Sequence, residues 1–246
     1  MNKNELVVFK NADKSKDEKW TLDRDLFNIP SPCRILVASK PGGGKTNFIL
    51  NFLLKQNPPF KHIYLMHPDL RASGDLDTDD EDDDIDEYDG VVREYGLIDF
   101  TPLYGIPKPT SFRDDKNEKK VLIIDDVDIK VLSKEDKKNL GKICSFASSH
   151  YNMTVIITSQ DIFNQVMPSI VRFCNVFIVY PYPSINYNQM LLNRCGVNKK
   201  TVPFILNEMQ SYGLHDSMCI DFTENSPAKY RKNMYIKLPH IIDLKN

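Results

Sequence analysis

The stretch RILVASKPGGGKTN, residues 34–47, carries the clearest structural signal in the chain. Four apolar residues, typical of a buried strand, lead to three consecutive glycines, and apolar residues recur at helical spacing over 47–55. Glycine permits positive φ and lets backbone N–H groups approach an anion closely, and the start of a helix adds partial positive charge. The stretch therefore predicts a strand, a phosphate-binding loop and a helix, in that order.

This loop supplies the candidate nucleotide-binding residues. We expect Lys45 to bridge the β- and γ-phosphates of ATP and the Thr46 hydroxyl to ligate Mg²⁺. Ser39 stands where such a loop ordinarily begins with glycine, so the loop has to close around a side chain. A glycine-rich turn without chemistry is the alternative interpretation. The residues expected to surround the nucleotide are Ser39, Lys40, Pro41, Gly42, Gly43, Gly44, Lys45, Thr46 and Asn47.

A second motif, VLIIDDVD at 121–128, places two aspartates directly after an apolar run. At the tip of a strand beside the phosphate loop, Asp125 would hold Mg²⁺, in many sites through water. Asp126 should point to the other side of the strand, where it would orient or deprotonate the attacking water. Its side chain is one methylene shorter than the glutamate common at this position, and Asp128 is the second choice. The two motifs in this order favour hydrolysis over a solvated acidic turn.

A third apolar run, VIITSQ at 155–160, ends in a polar side chain. Gln160 could contact the γ-phosphate or the attacking water and report the loss of the phosphate. A lone glutamine after a strand is more commonly an ordinary loop residue. The preceding strands that carry Lys45 and Asp125 favour the sensor role.

Apolar runs separated by helical stretches define the expected fold. Each run is nearly continuous rather than alternating, which is typical of parallel strands covered on both faces. The motif order favours a sheet in which the strand before Gln160 lies between the other two motif strands. We therefore predict an α/β protein with a mostly parallel sheet and helices on both faces. Strands are expected at 35–38, 62–66, 121–124, 155–158, 176–180, 218–222 and 234–238, and helices at 47–55, 133–148, 186–194 and 199–211.

Charge is unevenly distributed along the 246 residues. Residues 75–89 hold eleven acidic residues and no basic one, which leaves 23 acidic against 32 basic residues elsewhere. A basic body suits a polyanionic partner. The segment 74–90 is expected to be a solvated, mobile insert. The alternative interpretation is that it docks to a basic partner. Five dispersed cysteines predict reduced, mostly buried thiols, and neither secretion nor a membrane-spanning segment is expected.

Together, the motifs RILVASKPGGGKTN, VLIIDDVD, SSHYNMTVIITSQ and SIVRFCNVFIVY resemble the genome-packaging ATPases of poxviruses, other large DNA viruses and virophages, in the FtsK/HerA group. The resemblance covers about 34–180. It implies a RecA-like P-loop core, about 31–182, in a single domain over 1–246 with a C-terminal extension, about 184–246. It also implies a homo-oligomeric ring, often a hexamer, that uses ATP to move double-stranded DNA into a capsid. Capsid or portal-like partners follow, with a location in the host cytoplasm, a viral factory or the virion.

One departure from this family concerns arginine. Its members commonly place an arginine eleven residues before the sensor glutamine, where it can act on a neighbouring subunit's nucleotide, but this chain has Ser149 there. Such an arginine can contribute ~10³–10⁵ in rate, so a substitute is expected. By resemblance Arg172 matches another recurrent position, and Arg194 is a further candidate. The predicted catalytic residues are thus Lys45, Asp126, Gln160 and Arg172, with Thr46 and Asp125 at the metal.

Three other functions remain open at this point. They are a helicase or DNA pump of the same group, a nucleotide-gated assembly module without turnover, and a small-molecule kinase. No base-reading DNA module is present in the sequence, so any DNA binding should be independent of base sequence and sensitive to salt. Candidate phosphate-contacting residues are Lys116, Lys119, Lys120, Lys199, Lys200, Lys229, Arg231, Lys232 and Lys237, each of which could equally be an ordinary solvated side chain.

Overall fold

The apolar runs pair in parallel to form the centre of one sheet in the computed structural model, which describes residues 29–70, 98–224, 226 and 228–241. The central strands are β1 (Arg34–Ala38), β2 (His62–Met66), β4 (Lys120–Ile124), β5 (Met153–Ser159) and β6 (Val176–Val179). Their order is β2-β4-β5-β1-β6. The strand that ends before Gln160 therefore lies between the strands of the other two motifs, which confirms the predicted topology.

Short strands complete both edges of the nine-stranded sheet. At one edge β3 (Thr101–Pro102) pairs in parallel with β2. At the other edge β7 (Met218–Asp221), β8 (Tyr230–Lys232) and β9 (Ile236–Lys237) continue the sheet in antiparallel pairing. The strand predicted at 218–222 is confirmed apart from its last residue.

The strand predicted at 234–238 is largely wrong. Asn233 and Met234 have positive φ values of 52° and 70°, so they form the turn between β8 and β9. Only Ile236–Lys237 is extended and paired. The prediction missed β8 because its central residue, Arg231, carries a charge that the sequence pattern places in solvent, whereas the structure buries it.

Two helices flank the motif strands. Helix α1 (Lys45–Leu54) follows the glycines and buries Phe48, Ile49, Phe52 and Leu53, as its spacing predicts. Helix α2 (Lys134–Lys142) begins after Ser133, whose hydroxyl accepts a hydrogen bond from the Asp136 N–H. It continues through a π-helical turn, Ile143–Ala147, into α3 (Ser148–His150). The helix predicted at 133–148 is thus confirmed, with its last part wound more widely.

The remaining helices are shorter. They are a 3₁₀ turn (Pro109–Phe112), α4 (Ile162–Gln165), α5 (Pro168–Phe173), α6 (Ile185–Arg194) and α7 (Val202–Met209). Helix α7 is shorter than the predicted 199–211, because Pro203 fits only the first turn of a helix and Gln210–Tyr212 leave the helical path.

The sheet is covered on both faces, which explains why its inner strands are apolar at successive positions. Leu36 and Ala38 point to the face that α2, α5, α6 and α7 cover. Ile35 and Val37 point to the face that α1 covers. All five cysteines are buried thiols that form no disulfide, as predicted. No helix of the described residues has the length and apolarity needed to cross a membrane, and the acidic segment 74–90 lies outside those residues.

Candidate nucleotide site

The glycine loop follows β1 directly and turns into α1 through two residues in the left-handed region. Gly42 has φ 68° and Gly44 has φ 110°, conformations that strain other residues. Gly43 is glycine for a different reason, since a Cβ built there would lie 2.0 Å from the Ser39 hydroxyl oxygen. That hydroxyl is buried and donates to the Lys40 carbonyl at 3.0 Å. The serine is therefore accommodated because position 43 has no side chain.

Three predicted catalytic residues are in direct contact, because Lys45 and Gln160 both bind the same carboxylate oxygen of Asp126. The Lys45 ammonium lies 3.0 Å from Asp126 Oδ2, and the Gln160 amide donates to the same oxygen at 2.9 Å. Lys45 comes from the start of α1, just after β1, Asp126 follows β4 and Gln160 follows β5. Because these strands are adjacent and parallel, all three residues lie at the carboxyl ends of the strands. Asp126 has φ 53°, a conformation that aspartate tolerates better than most residues.

Thr158, which sequence reasoning missed, orients both aspartates. Its hydroxyl donates to Asp125 Oδ1 and accepts a hydrogen bond from the Asp126 N–H at 2.9 Å. Thr158 is fully buried on β5, and Asp125 is 2 % exposed. A polar residue inside the apolar run VIITS was the available signal, although threonine is common in strands for its shape alone.

The acidic pair has the chemistry of a cation and water site. Asp126 Oδ1 is buried and has no hydrogen-bond partner among the described residues, while Oδ2 is fully engaged. A buried carboxylate oxygen without a donor is unfavourable unless water, a proton or a cation approaches it. Together with the glycine cradle and the Thr46 position at the start of α1, these residues fit Mg²⁺ and a triphosphate.

The backbone that carries Gln160 is held from both sides. The Gln165 Oε1 atom accepts from the Gln160 N–H at 3.1 Å and from the Ser159 hydroxyl at 2.7 Å. The Tyr182 hydroxyl donates to the Gln160 carbonyl at 2.8 Å. Burial raises the pKa of Tyr182 well above its usual range, so this phenol remains a donor at every physiological pH. Gln165 and Tyr182 therefore hold the backbone at Gln160, and their sequence context gave no signal for it.

A cavity of about 250 Å³ lies beside the start of α1. The C-terminal part of the chain lines its far side with His215, Asn233 and Tyr235, opposite Gly44 and Asn47. Tyr180, at the end of β6, lies between the two sides and its hydroxyl donates to the Gly44 carbonyl at 3.4 Å. The cavity borders the glycine loop at Gly44, and Asp126 is not part of its lining, so it could hold the sugar and base of a nucleotide whose phosphates lie in the loop. Sequence reasoning assigned none of its C-terminal residues.

Arg172 is not brought to this site in its own chain. It is exposed in the last turn of α5, just before β6 begins, whereas the loop follows the end of the parallel strand β1. A strand of this length separates the two by roughly 13 Å. Arg194 lies with its guanidinium carbon 6.0 Å from the centre of the Phe163 ring. Ser149 is exposed on α3 and donates to the Phe146 carbonyl.

Two of the predicted DNA contacts are wrong. Lys120 is fully buried, and its ammonium donates to the backbone carbonyls of Asp115, Glu118 and Tyr151. Arg231 is also fully buried and pairs with the Asp221 carboxylate at 3.0 Å. Both side chains stabilise the sheet and are inaccessible to a duplex. The exposed members of the predicted set are Lys116, Lys199, Lys200 and Lys237.

No family model and no curated protein sequence matches the chain. Several solved structures do match it in fold. The genome packaging NTPase B204 from Sulfolobus turreted icosahedral virus 2 aligns at a TM-score of 0.51 and 11 % identity in its sulfate complex, over 85 % of this chain and 98 % of that one. Its complex with AMPPCP aligns at 0.50 and 12 %, over 84 % and 98 %.

The conjugation coupling protein TcpA of pCW3, bound to ATPγS, aligns at a TM-score of 0.51 and 12 % identity, over 85 % of this chain and 62 % of that one. At such identities the similarity concerns the fold. It agrees with the resemblance of the sequence to packaging ATPases of the FtsK/HerA group. The chain has the α/β fold of a P-loop NTPase with a RecA-like core, as the sequence predicted.

Proposed function

We propose that the protein is an ATPase that moves double-stranded DNA into a viral capsid. The observation that carries the proposal is the convergence of Lys45 and Gln160 on the Asp126 carboxylate. A phosphate-binding lysine, a candidate base and a candidate sensor joined through one oxygen can couple nucleotide chemistry to movement of the loop after β5. The structural neighbours named as a genome packaging NTPase and a conjugation coupling protein support DNA as the cargo.

ATP would bind with its phosphates on the backbone N–H groups of 42–46 and its nucleoside in the cavity beside α1. Lys45 would leave Asp126 and contact the β- and γ-phosphates, since a phosphate offers more negative charge than a carboxylate. Ser39, Lys40 and Pro41 would shape the first half of the loop, and Asn47 would border the nucleoside cavity. Mg²⁺, held by Thr46 and Asp125, would supply charge neutralisation at the phosphates.

Asp126 would act as the base. Once Lys45 has moved to the phosphates, its carboxylate would accept a hydrogen bond from the attacking water, and the buried Oδ1 is the oxygen with free capacity. Gln160 would keep its amide on Oδ2 until the γ-phosphate leaves, and would then transmit the change through the backbone that Tyr182 and Gln165 hold.

A ring of identical subunits would complete the site. Arg172 is exposed and lies at the amino ends of the parallel strands, opposite the carboxyl ends that carry its own loop. This position suits a neighbour's nucleotide rather than its own. DNA contacts would come from exposed lysines and be independent of base sequence. Capsid or portal-like proteins would anchor the ring at the site of packaging.

The test is steady-state ATP hydrolysis with and without long double-stranded DNA. Asp126→Asn should lower kcat by at least about 10²-fold, because it removes the base and retains the shape of the side chain. Asp128→Asn is the matched control, since Asp128 lies two residues away and its carboxylate accepts a hydrogen bond only from the Lys130 N–H among the described residues. Full activity in Asp126→Asn would refute the hydrolytic mechanism, and hydrolysis indifferent to DNA would refute the motor.

A nucleotide-gated assembly module is the second candidate. The described residues bring no arginine to the phosphate loop, and Lys45 has a carboxylate partner already in place. Such a protein would bind ATP and change partners without turning it over. Tight binding of ATP without hydrolysis, in the presence of DNA, would favour this candidate over the motor.

A further inference from the structure

A second and larger cavity, about 700 Å³, lies away from the nucleotide site between the 3₁₀ turn and α2. Lys108 stands on the side of the 3₁₀ turn, and Lys134, Lys138 and Lys142 stand on α2. Phe146 and Tyr151 also line it. We call this surface the lysine groove. The nucleotide mechanism uses none of these residues.

Within the described part of the chain, the ammonium groups of the lysine groove have no acidic partner. Lys134, Lys138 and Lys142 are spaced four residues apart, so they project from one face of α2. All four lysines are exposed, and none forms a salt bridge with another described residue. Among the residues that the structure describes, Glu135 is the only acidic one that lines the groove. The groove therefore presents four positive charges to a ligand against one negative charge.

Between the lysines the groove is apolar. The Phe146 side chain is 47 % exposed, although its ring stacks on His150 at 4.1 Å and meets the edge of Tyr151 at 5.7 Å. Pro109 adds apolar surface on the opposite wall. An exposed aromatic ring inside a basic rim fits an acidic chain with occasional apolar side chains better than it fits a bare phosphate ion.

This chain contains such a segment. Residues 75–89 carry eleven carboxylates and no basic residue, and Leu76, Ile85 and Tyr88 are interspersed among them. We propose that the lysine groove binds the acidic segment 75–89 of the same chain, with carboxylates on the lysines and apolar side chains near Phe146. Docking would withhold the four ammonium groups from other polyanions. The proposal does not depend on ATP hydrolysis.

Chain connectivity permits this contact within one molecule. The described residues end at Leu70 and resume at Ile98, and the 27 residues between them can span at most about 90 Å. From Ile98 the chain passes through β3 and reaches Lys108 ten residues later. The Ile106 N–H bonds Asp136 on α2, which ties this connection to the groove. A tethered segment acts at an effective concentration of about millimolar, which favours it over a free polyanion.

Carbodiimide cross-linking of the full chain, followed by peptide mass spectrometry, tests the proposal. We expect amide links between 75–89 and Lys134, Lys138, Lys142 or Lys108 to exceed links to the exposed pair Lys199 and Lys200 by at least tenfold. Mixing unlabelled with ¹⁵N-labelled protein should show links within one molecule. Links spread evenly over all exposed lysines, or found only between molecules, would overturn the proposal.

A variant pair separates the groove from general charge attraction. Lys138→Gln/Lys142→Gln should reduce linking of the segment to the remaining groove lysines at least fivefold, and Lys199→Gln/Lys200→Gln should leave it unchanged. Circular dichroism checks that α2 remains folded. If a double-stranded oligonucleotide, rather than the segment, occupies the groove lysines in the intact chain, the groove is a nucleic-acid surface and the proposal fails.

Discussion

At the scale of single residues, small groups decide the geometry of the site. Ser39 fits only because Gly43 has no side chain, and Asp126 is aimed by a hydroxyl on the neighbouring strand. Neither relation involves residues adjacent in sequence. Each relation can be tested with a single substitution. For the first, a second substitution should compensate the effect, and for the second, an equivalent buried residue on the same strand serves as a control.

Gly43→Ala should impair the loop, and Ser39→Gly should partly rescue it. The new methyl would lie 2.0 Å from the serine hydroxyl, forcing that hydroxyl off the Lys40 carbonyl inside a buried site. The cost should be about 1–3 kcal/mol of unfolding free energy, with weaker ATP binding. The double variant removes the clash but keeps the Lys40 carbonyl 3.1 Å from the methyl, so rescue should be incomplete.

Binding of a fluorescent ATP analogue and thermal melting would follow all four proteins of this cycle. Equal losses in Gly43→Ala and in the double variant would show that the serine contact is irrelevant. In that case glycine at 43 would be needed for approach to the phosphates alone.

Thr158→Val should lower kcat by about 10–100-fold with little change in KM for ATP, the range seen when groups that orient catalytic ligands are removed. The substitution preserves shape and removes the hydroxyl that bonds Asp125 and the Asp126 N–H. Thr154→Val is the control, because Thr154 is equally buried on the same strand and bonds Ser31 instead. If both variants lose activity equally, the effect is general to β5 and the orienting role fails.

At the scale of elements, the sequence predicts those strands and helices whose positions are set by the spacing of apolar residues. The inner parallel strands and α1 are apolar at most of their buried positions, so their places in the chain and the strand order followed from the pattern and the motifs. Strand β8 could not be predicted because it buries Arg231 against Asp221, a partner ten residues away. The cavity beside α1 was missed for a related reason, since it joins α1 to residues about 170 positions later in the chain.

The turn between β8 and β9 should be sensitive to acid. Asp216 accepts hydrogen bonds from Lys232 at 2.8 Å, Asn233 at 2.7 Å and the Gly213 N–H at 2.9 Å. The Lys232 and Asn233 side chains lower its pKa from 3.8 to about 2. A folded-state pKa below the unfolded value stabilises the protein above about pH 4, and this contribution is lost as pH falls towards 2.

Asp216→Asn should therefore melt below the wild type at pH 7, and the difference should shrink as pH falls from 4 to 2. Melting temperatures of both proteins across that range measure the effect. Asp114→Asn, at an exposed position outside this turn, should show no such convergence. A difference that is constant with pH would contradict the assignment of the stabilisation to the carboxylate charge.

At the scale of the whole molecule, the proposed ring would bring an arginine to the site from a neighbouring subunit. Lys45, Asp126 and Gln160 lie together at the carboxyl ends of the parallel strands, and Arg172 lies at their amino ends, just before β6. Head-to-tail contacts of identical subunits form a ring when the rotation between neighbours closes, and such contacts set one face of a subunit against the other face of its neighbour. The same arrangement would place one subunit's exposed arginine within reach of the next subunit's nucleotide.

Two inactive variants should therefore restore activity when mixed. Arg172→Ala retains its own Lys45 and Asp126 but offers no arginine, whereas Asp126→Asn lacks the base and offers one. In randomly mixed rings at equal amounts, about a quarter of sites would combine an intact base with a neighbouring arginine. DNA-stimulated hydrolysis should rise towards that fraction of the wild-type rate. Arg194→Ala, the control, should hydrolyse ATP at about the wild-type rate without a second variant. A mixture no more active than its components would place the stimulating cation elsewhere and leave Arg172 a surface residue.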